Sequence, residues 1–138
     1  FELYLPGSSW NPTKEIKAST DFEGYGGRKK YAFNTVGGYY AARLPILKYL
    51  HSIKKQASVL AIRIEDATYW AALGVWVVRE SVKKAMEKKG MKFESQKELI
   101  EQSKKIGKIK YKFDYEKIFK KSKLLEQLKT QTSLRKWF

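Results

Sequence analysis

Four carboxylates hold the first claim to chemistry in this chain: Asp21, Glu23, Glu65 and Asp66. Brought together, such oxygens can hold Mg²⁺ for phosphodiester cleavage. An E-x-K pattern of nuclease type also occurs, as Glu87-Lys88-Lys89 with Asp66 upstream. That triplet falls in a charged helical stretch, whereas the chemistry needs its groups fixed beside a buried strand. It is therefore read as helix surface. No cysteine is present, which excludes disulfides, thiolate catalysis and cysteine-ligated zinc together. With His51 as the lone histidine, a zinc site would have to be built from carboxylates, so no metal and no cofactor are expected. There is no Ser-His-Asp arrangement and no Walker-type phosphate loop.

Charge points elsewhere. The chain has 29 Lys+Arg against 14 Asp+Glu, a net +15, and a field of that sign favours polyanions. Residues 1–60 contribute +5 (nine basic, four acidic) and residues 61–138 contribute +10 (twenty and ten). Two clusters are candidate nucleic-acid contacts. Arg28, Lys29 and Lys30 follow the loop Gly24–Gly27, whose backbone N–H groups can join them around a phosphate. Residues 104–123 hold nine lysines against Asp114 and Glu116, a net +7, with Lys104, Lys105, Lys108, Lys110 and Lys112 at its start. Lysine is a point charge suited to backbone attraction rather than base readout. The aromatics Tyr39, Tyr40, Tyr69, Trp70 and Trp76 can stack on bases, but their spacing reads first as core or pocket lining.

The elements that must position these residues follow from periodicity. The opening Phe1–Trp10 alternates and then breaks at Pro6-Gly7, which predicts a short strand and a turn. Lys29–Val36 has strand character. Helical spacing begins after Gly38, with Pro45 requiring a start near Arg43 or a bend. Ala57–Asp66 is the most β-branched segment and is expected at the sheet centre. A helix is expected from about Ala71 with Gly90 as C-cap, and a second from Ser95, whose Glu98 three residues on completes a capping box. Lys108–Phe113 alternates as an edge strand would, and Asp114–Lys129 places Ile118, Leu124, Leu125 and Leu128 on one helix face. The sum is an α/β or α+β domain, a mixed β-sheet packed with several amphipathic helices, over residues 1–130, ending in a flexible tail, 131–138. No apolar run is long enough to span a membrane.

The tail reads Gln-Thr-Ser-Leu-Arg-Lys-Trp-Phe. Gln131, Leu134, Trp137 and Phe138 fit Q-x-x-h-x-x-a-a, with h aliphatic and a aromatic, and one short helical turn puts the three apolar side chains on one face. This resembles the PIP box, by which replication and repair proteins attach to the sliding clamp PCNA; Trp stands where Phe or Tyr is more usual. The resemblance implies that the apolar plug enters a pocket on the clamp and the glutamine amide bonds to a polar subsite.

A second resemblance covers Gly37 to Met86. Gly37-Gly38-Tyr39-Tyr40, Arg43-Leu44 and Gly74-Val75-Trp76 with Arg79-Glu80 make the stretch similar to the C-terminal domain of the archaeal Nre proteins, which are implicated in DNA repair and carry a C-terminal PCNA-interacting motif. The family implies an N-terminal domain outside this chain, in keeping with a first residue that is not methionine, and a cytoplasmic, nucleoid-associated location. It supplies no catalytic residues to carry over. Tyr39, Tyr40, Arg43, Arg63, Trp76, Arg79 and Glu80 fall in the matching stretches, and Arg79-Glu80 is expected as a buried structural ion pair. The expected function is a DNA-repair protein recruited to PCNA. The alternatives are a metal-dependent DNA-processing enzyme delivered by the clamp and a non-enzymatic basic DNA-binding module.

Overall fold

The protein is described by a computed structural model over residues 1–68 and 74–131. Its class is α+β: a three-stranded mixed sheet and five helices among the described residues. The chain divides into two compact units, Phe1–Lys89 and Gly90–Phe138.

In the first unit, β1 (Glu2–Tyr4) occupies the middle of the sheet, antiparallel to β2 (Lys17–Ser19) and parallel to β3 (Arg63–Glu65). Leu3 pairs with Ala18 on one side and Ile64 on the other, and it is completely buried. The parallel ladder is extended by the Leu5 N–H to Glu65 at 2.8 Å and the Arg63 N–H to Phe1 at 2.9 Å. The sheet centre was expected at Ala57–Asp66. Only its last part forms a strand, and that strand lies at the edge, because the opening strand holds a partner on each side. The Pro6-Gly7 turn is closed by Asn11, also completely buried, whose amide donates to Tyr4 O at 2.8 Å and Glu15 O at 2.6 Å.

Helix α1 runs Val36–Ser52, seven residues earlier than Arg43, with Pro45 inside it. Pro45 removes one helical donor, but the helix carries on and packs against α2 (Gly74–Glu87). In its first turn Gly38 lies against the Glu2 carboxylate, which Arg63 and Tyr4 hold in place, and a Cβ there would collide with it. The strand expected at Lys29–Val36 does not form. Its backbone N–H groups go to side chains instead, Ala32 to the Tyr40 hydroxyl and Phe33, Asn34 and Thr35 to Asp21. Gly90 lies three residues past the end of α2 and does not cap it. The expected start of that helix at Ala71 lies outside the described residues.

In the second unit, α3 (Gln96–Tyr111) begins as the capping pattern predicts, with Ser95 Oγ accepting the Glu98 N–H at 3.1 Å. The helix continues to Tyr111, through the first four residues of the expected edge strand. Its lysines are good helix formers, so local propensity overrides the alternation. Lys112 takes a left-handed conformation (φ 51°) and turns the chain back over Gly107. A Cβ on Gly107 would sit 2.9 Å from the Tyr115 ring, so this glycine is what seats Tyr115 against α3. Phe113, Tyr115, Ile118 and Phe119 are buried there, with ring centroids 5.9 Å (Phe113–Tyr115) and 5.8 Å (Tyr115–Phe119) apart. The single final helix expected from Asp114 is two, α4 (Glu116–Phe119) and α5 (Lys123–Thr130). Buried Ser122 breaks the run and caps α5 through the Leu125 N–H at 3.3 Å. Leu124, Leu125 and Leu128 share the half-buried face of α5.

Candidate functional site

The carboxylates do not converge. Among the described residues, no three His, Asp or Glu side chains gather as metal ligands. Each candidate is instead bound to protein donors. Asp21 Oδ2 accepts the Thr35 N–H at 2.7 Å, the Thr35 hydroxyl at 3.0 Å and the Asn34 N–H at 3.0 Å, directly ahead of α1. Burial pushes its carboxyl pKa up, yet these donors outweigh burial and hold it below the ordinary value. Glu23 accepts the Tyr39 hydroxyl at 2.5 Å and the Arg43 Nε–H at 3.0 Å to both oxygens. Here too burial works upward and the Tyr39 and Arg43 bonds win, holding the Glu23 carboxyl below its ordinary value. The Tyr39 hydroxyl is pushed up to about 12 by its own burial and by the bond to Glu23.

Glu65 sits in a second network. Arg63 donates to Glu65 at 2.9 Å and to Glu2 at 3.1 Å, and the Tyr4 hydroxyl donates to Glu2 at 2.8 Å. Glu65 is almost fully buried and one of its oxygens has no hydrogen bond, so desolvation raises its pKa despite Arg63. Asp66 accepts the Thr68 N–H and hydroxyl in a local turn.

Three of the family-like positions, Tyr39, Tyr40 and Arg43, form a latch. Tyr39 and Arg43, one turn apart on α1, grip Glu23. Tyr40 packs edge-on against Tyr39 at 5.0 Å and tilts over Tyr31 at 4.6 Å. Arg28 lies 5.0 Å from the Tyr39 ring, pairs with Asp21 at 3.3 Å and donates to the carbonyls of Phe22, Lys30 and Tyr31. These contacts tie residues 21–33 to the first turns of α1. Trp76, expected in the core, is exposed. Arg79 and Glu80, expected as a buried pair, lie 3.7 Å apart with side chains 52% and 39% exposed, so their attraction is weak. They sit on the rim of an open cleft of about 740 Å³ between α1 and α2, floored by Leu44, Pro45 and Met86.

The lysines separate by role. Lys29 and Lys30 are exposed, as are Lys105, Lys108, Lys110 and Lys112. Lys104 is engaged, 2.9 Å from Glu101 and 2.6 Å from Glu116, and the Glu116 bond leads in raising its pKa. Lys110 sits 5.3 Å from the Tyr111 ring. In the tail motif, Gln131 is exposed and leaves α5 in an extended conformation (ψ 115°). Leu134, Trp137 and Phe138 lie outside the described residues, as do Tyr69 and Trp70. No helix among the described residues is long and apolar enough to cross a membrane.

The chain is thus a strongly cationic α+β module, in which Glu2, Asp21, Glu23 and Glu65 are taken up by protein donors. It belongs to the archaeal Nre family: the family profile "Archaeal Nre, C-terminal" matches residues 23–137. The DNA repair protein NreA of Archaeoglobus fulgidus is 48% identical over 94 residues, covering 68% of this chain and 24% of that protein. NreA of Haloferax volcanii is 44% identical over 88 residues (62% and 21%), and the DNA repair protein NreB of Archaeoglobus fulgidus is 36% identical over 95 residues (68% and 24%). The chain thus spans less than a quarter of the curated relatives it matches. No solved structure matches it.

Proposed function

We propose that this domain attaches an Nre-type DNA-repair protein to the PCNA sliding clamp. The observation that carries the reading is the spacing of Gln131, Leu134, Trp137 and Phe138 immediately after a helix that stops at Thr130. The family profile runs to residue 137, which supports a tail that belongs with the domain. The names of the relatives support repair as the setting, and their greater length supports a domain that works as part of a larger protein.

In this mechanism a helical turn of the tail presents Leu134, Trp137 and Phe138 to an apolar pocket, while the Gln131 amide supplies donors and an acceptor. A short segment that orders on binding gives up part of its contact energy, so one copy binds at about micromolar Kd, near −8 kcal/mol. Lys129, Arg135 and Lys136 speed encounter with an acidic clamp surface more than they add final affinity. Surface-plasmon resonance on immobilised archaeal PCNA tests the assignment. Leu134→Ala with Phe138→Ala abolishes binding and leaves the circular dichroism spectrum unchanged. Binding that survives the double substitution removes the tail from the interface.

The carboxylates on which a metal-dependent DNA-processing reading rests are each committed to protein donors, so no observation favours that reading. A direct role on nucleic acid has support of its own, from a different part of the first unit.

A further inference from the structure

Residues 24–33 read Gly-Tyr-Gly-Gly-Arg-Lys-Lys-Tyr-Ala-Phe. Tyr25 is 98% exposed, Phe33 86% and Tyr31 69%. Single exposed aromatics are ordinary, but three within nine residues, interleaved with cations, form a patch.

The segment is not held out in water for want of structure. Its tip is closed by the Gly27 N–H to Gly24 O at 3.0 Å. Arg28 braces it through the carbonyls of Phe22 at 3.1 Å, Lys30 at 3.1 Å and Tyr31 at 3.2 Å. Buried Ala32 donates its N–H to Tyr40 at 3.0 Å, and Phe33 donates to Asp21 at 3.4 Å. Tyr31 packs one ring face towards Tyr40 and keeps most of its surface open. The backbone is thus pinned while the rings point outward, an arrangement that lowers the ordering cost of binding.

Arg28 spends its charge inside this brace. Lys29 and Lys30 have no carboxylate partner among the described residues and are exposed. Ring faces beside unpaired lysines match the chemistry of one partner, a strand whose bases are unstacked and whose backbone is anionic. A duplex hides its base faces, and an acidic protein surface would use the lysines and leave the rings idle.

We infer that residues 25–33 form a stacking surface for single-stranded nucleic acid. Tyr25, Tyr31 and Phe33 offer faces to bases, and Lys29 and Lys30 meet the flanking phosphates. The surface lies in the first unit and is independent of the clamp-binding tail, so a chain lacking Gln131–Phe138 retains it.

The test is fluorescence anisotropy with a labelled oligothymidylate of about 20 nucleotides at about 50 mM salt, beside an abasic strand of equal length and charge and a duplex. Tyr25→Ala with Phe33→Ala lowers affinity for oligothymidylate at least tenfold, equivalent to about 1.4 kcal/mol. Tyr25→Phe with Phe33→Tyr keeps it. The unmodified protein binds the abasic strand and the duplex about as weakly as the Ala variant binds oligothymidylate. Lys29→Gln with Lys30→Gln lowers affinity and flattens the salt dependence by a log–log slope of about 1.4, two phosphate contacts on a single strand. Equal affinity for thymidylate and abasic strands, no loss in the Ala variant, or no binding to either strand overturns the inference. The first of these assigns the patch to charge alone.

Discussion

Asp21→Ala probes the latch at the start of α1 most severely. The Asp21 side chain is 6% exposed, and Thr35 is buried at 6%. Removing the carboxylate leaves the Thr35 N–H and hydroxyl without their acceptor and releases Arg28 from its 3.3 Å pairing. A hydrogen bond to a charged group contributes about 1.5–3 kcal/mol, and Asp21 accepts from Thr35, Asn34 and Phe33 through one carboxylate. These overlap, so about 3 kcal/mol is expected in total. For a unit of this size that lowers Tm by about 15 °C, taking about 4–8 °C per kcal/mol. Asp21→Asn keeps an oxygen acceptor but loses the charge, and it should cost about half as much. The pH dependence follows in sign. The folded pKa lies below the unfolded value of about 3.9, so the stabilisation is complete above that value and drains away as pH falls through the folded pKa. Urea titrations from pH 7 to pH 2.5 should show the difference between native protein and Asp21→Asn shrinking below about pH 4. A cost below about 0.5 kcal/mol for Asp21→Ala at neutral pH, typical of an ordinary surface site, would refute the latch.

Two other substitutions address close approaches. Gly38→Ala drives a Cβ into the Glu2 carboxylate and should destabilise the first unit by about 1–3 kcal/mol, read as a lower urea midpoint with unchanged slope. Gly107→Ala places a Cβ 2.9 Å from the Tyr115 ring and should cost the second unit about as much, with loss of tyrosine near-ultraviolet dichroism, although alanine is the better helix former. Unchanged stability in either would mean the packing yields without strain.

Local signals in the sequence were dependable where the physics is local. The Ser95–Glu98 cap and the Pro6-Gly7 turn depend on neighbours within a few residues, and both form. Alternation failed at Lys108–Phe113, where helix propensity and an N-terminal cap outweighed it. The β-branched run Ala57–Asp66 suggested a central strand, but centrality is decided by which strand finds two partners, and composition does not carry that. The latches were invisible for the same reason. Asp21 meets Thr35 across 14 residues, and Glu2 meets Arg63 across 61. Tyr39 and Arg43 stood out through family likeness, yet only the fold shows that both hold Glu23. For Arg28, a candidate phosphate contact, the residue types alone could not show that neighbouring carbonyls accept from its guanidinium. Its exposed neighbours Lys29 and Lys30 retain the role proposed for them.

Titration calorimetry of this chain against an archaeal PCNA, beside a twin lacking Gln131–Phe138, tests the central claim most directly. Binding near micromolar Kd that vanishes in the twin is the predicted result. Equal heats from both forms, or none from either, would contradict clamp recruitment through the tail.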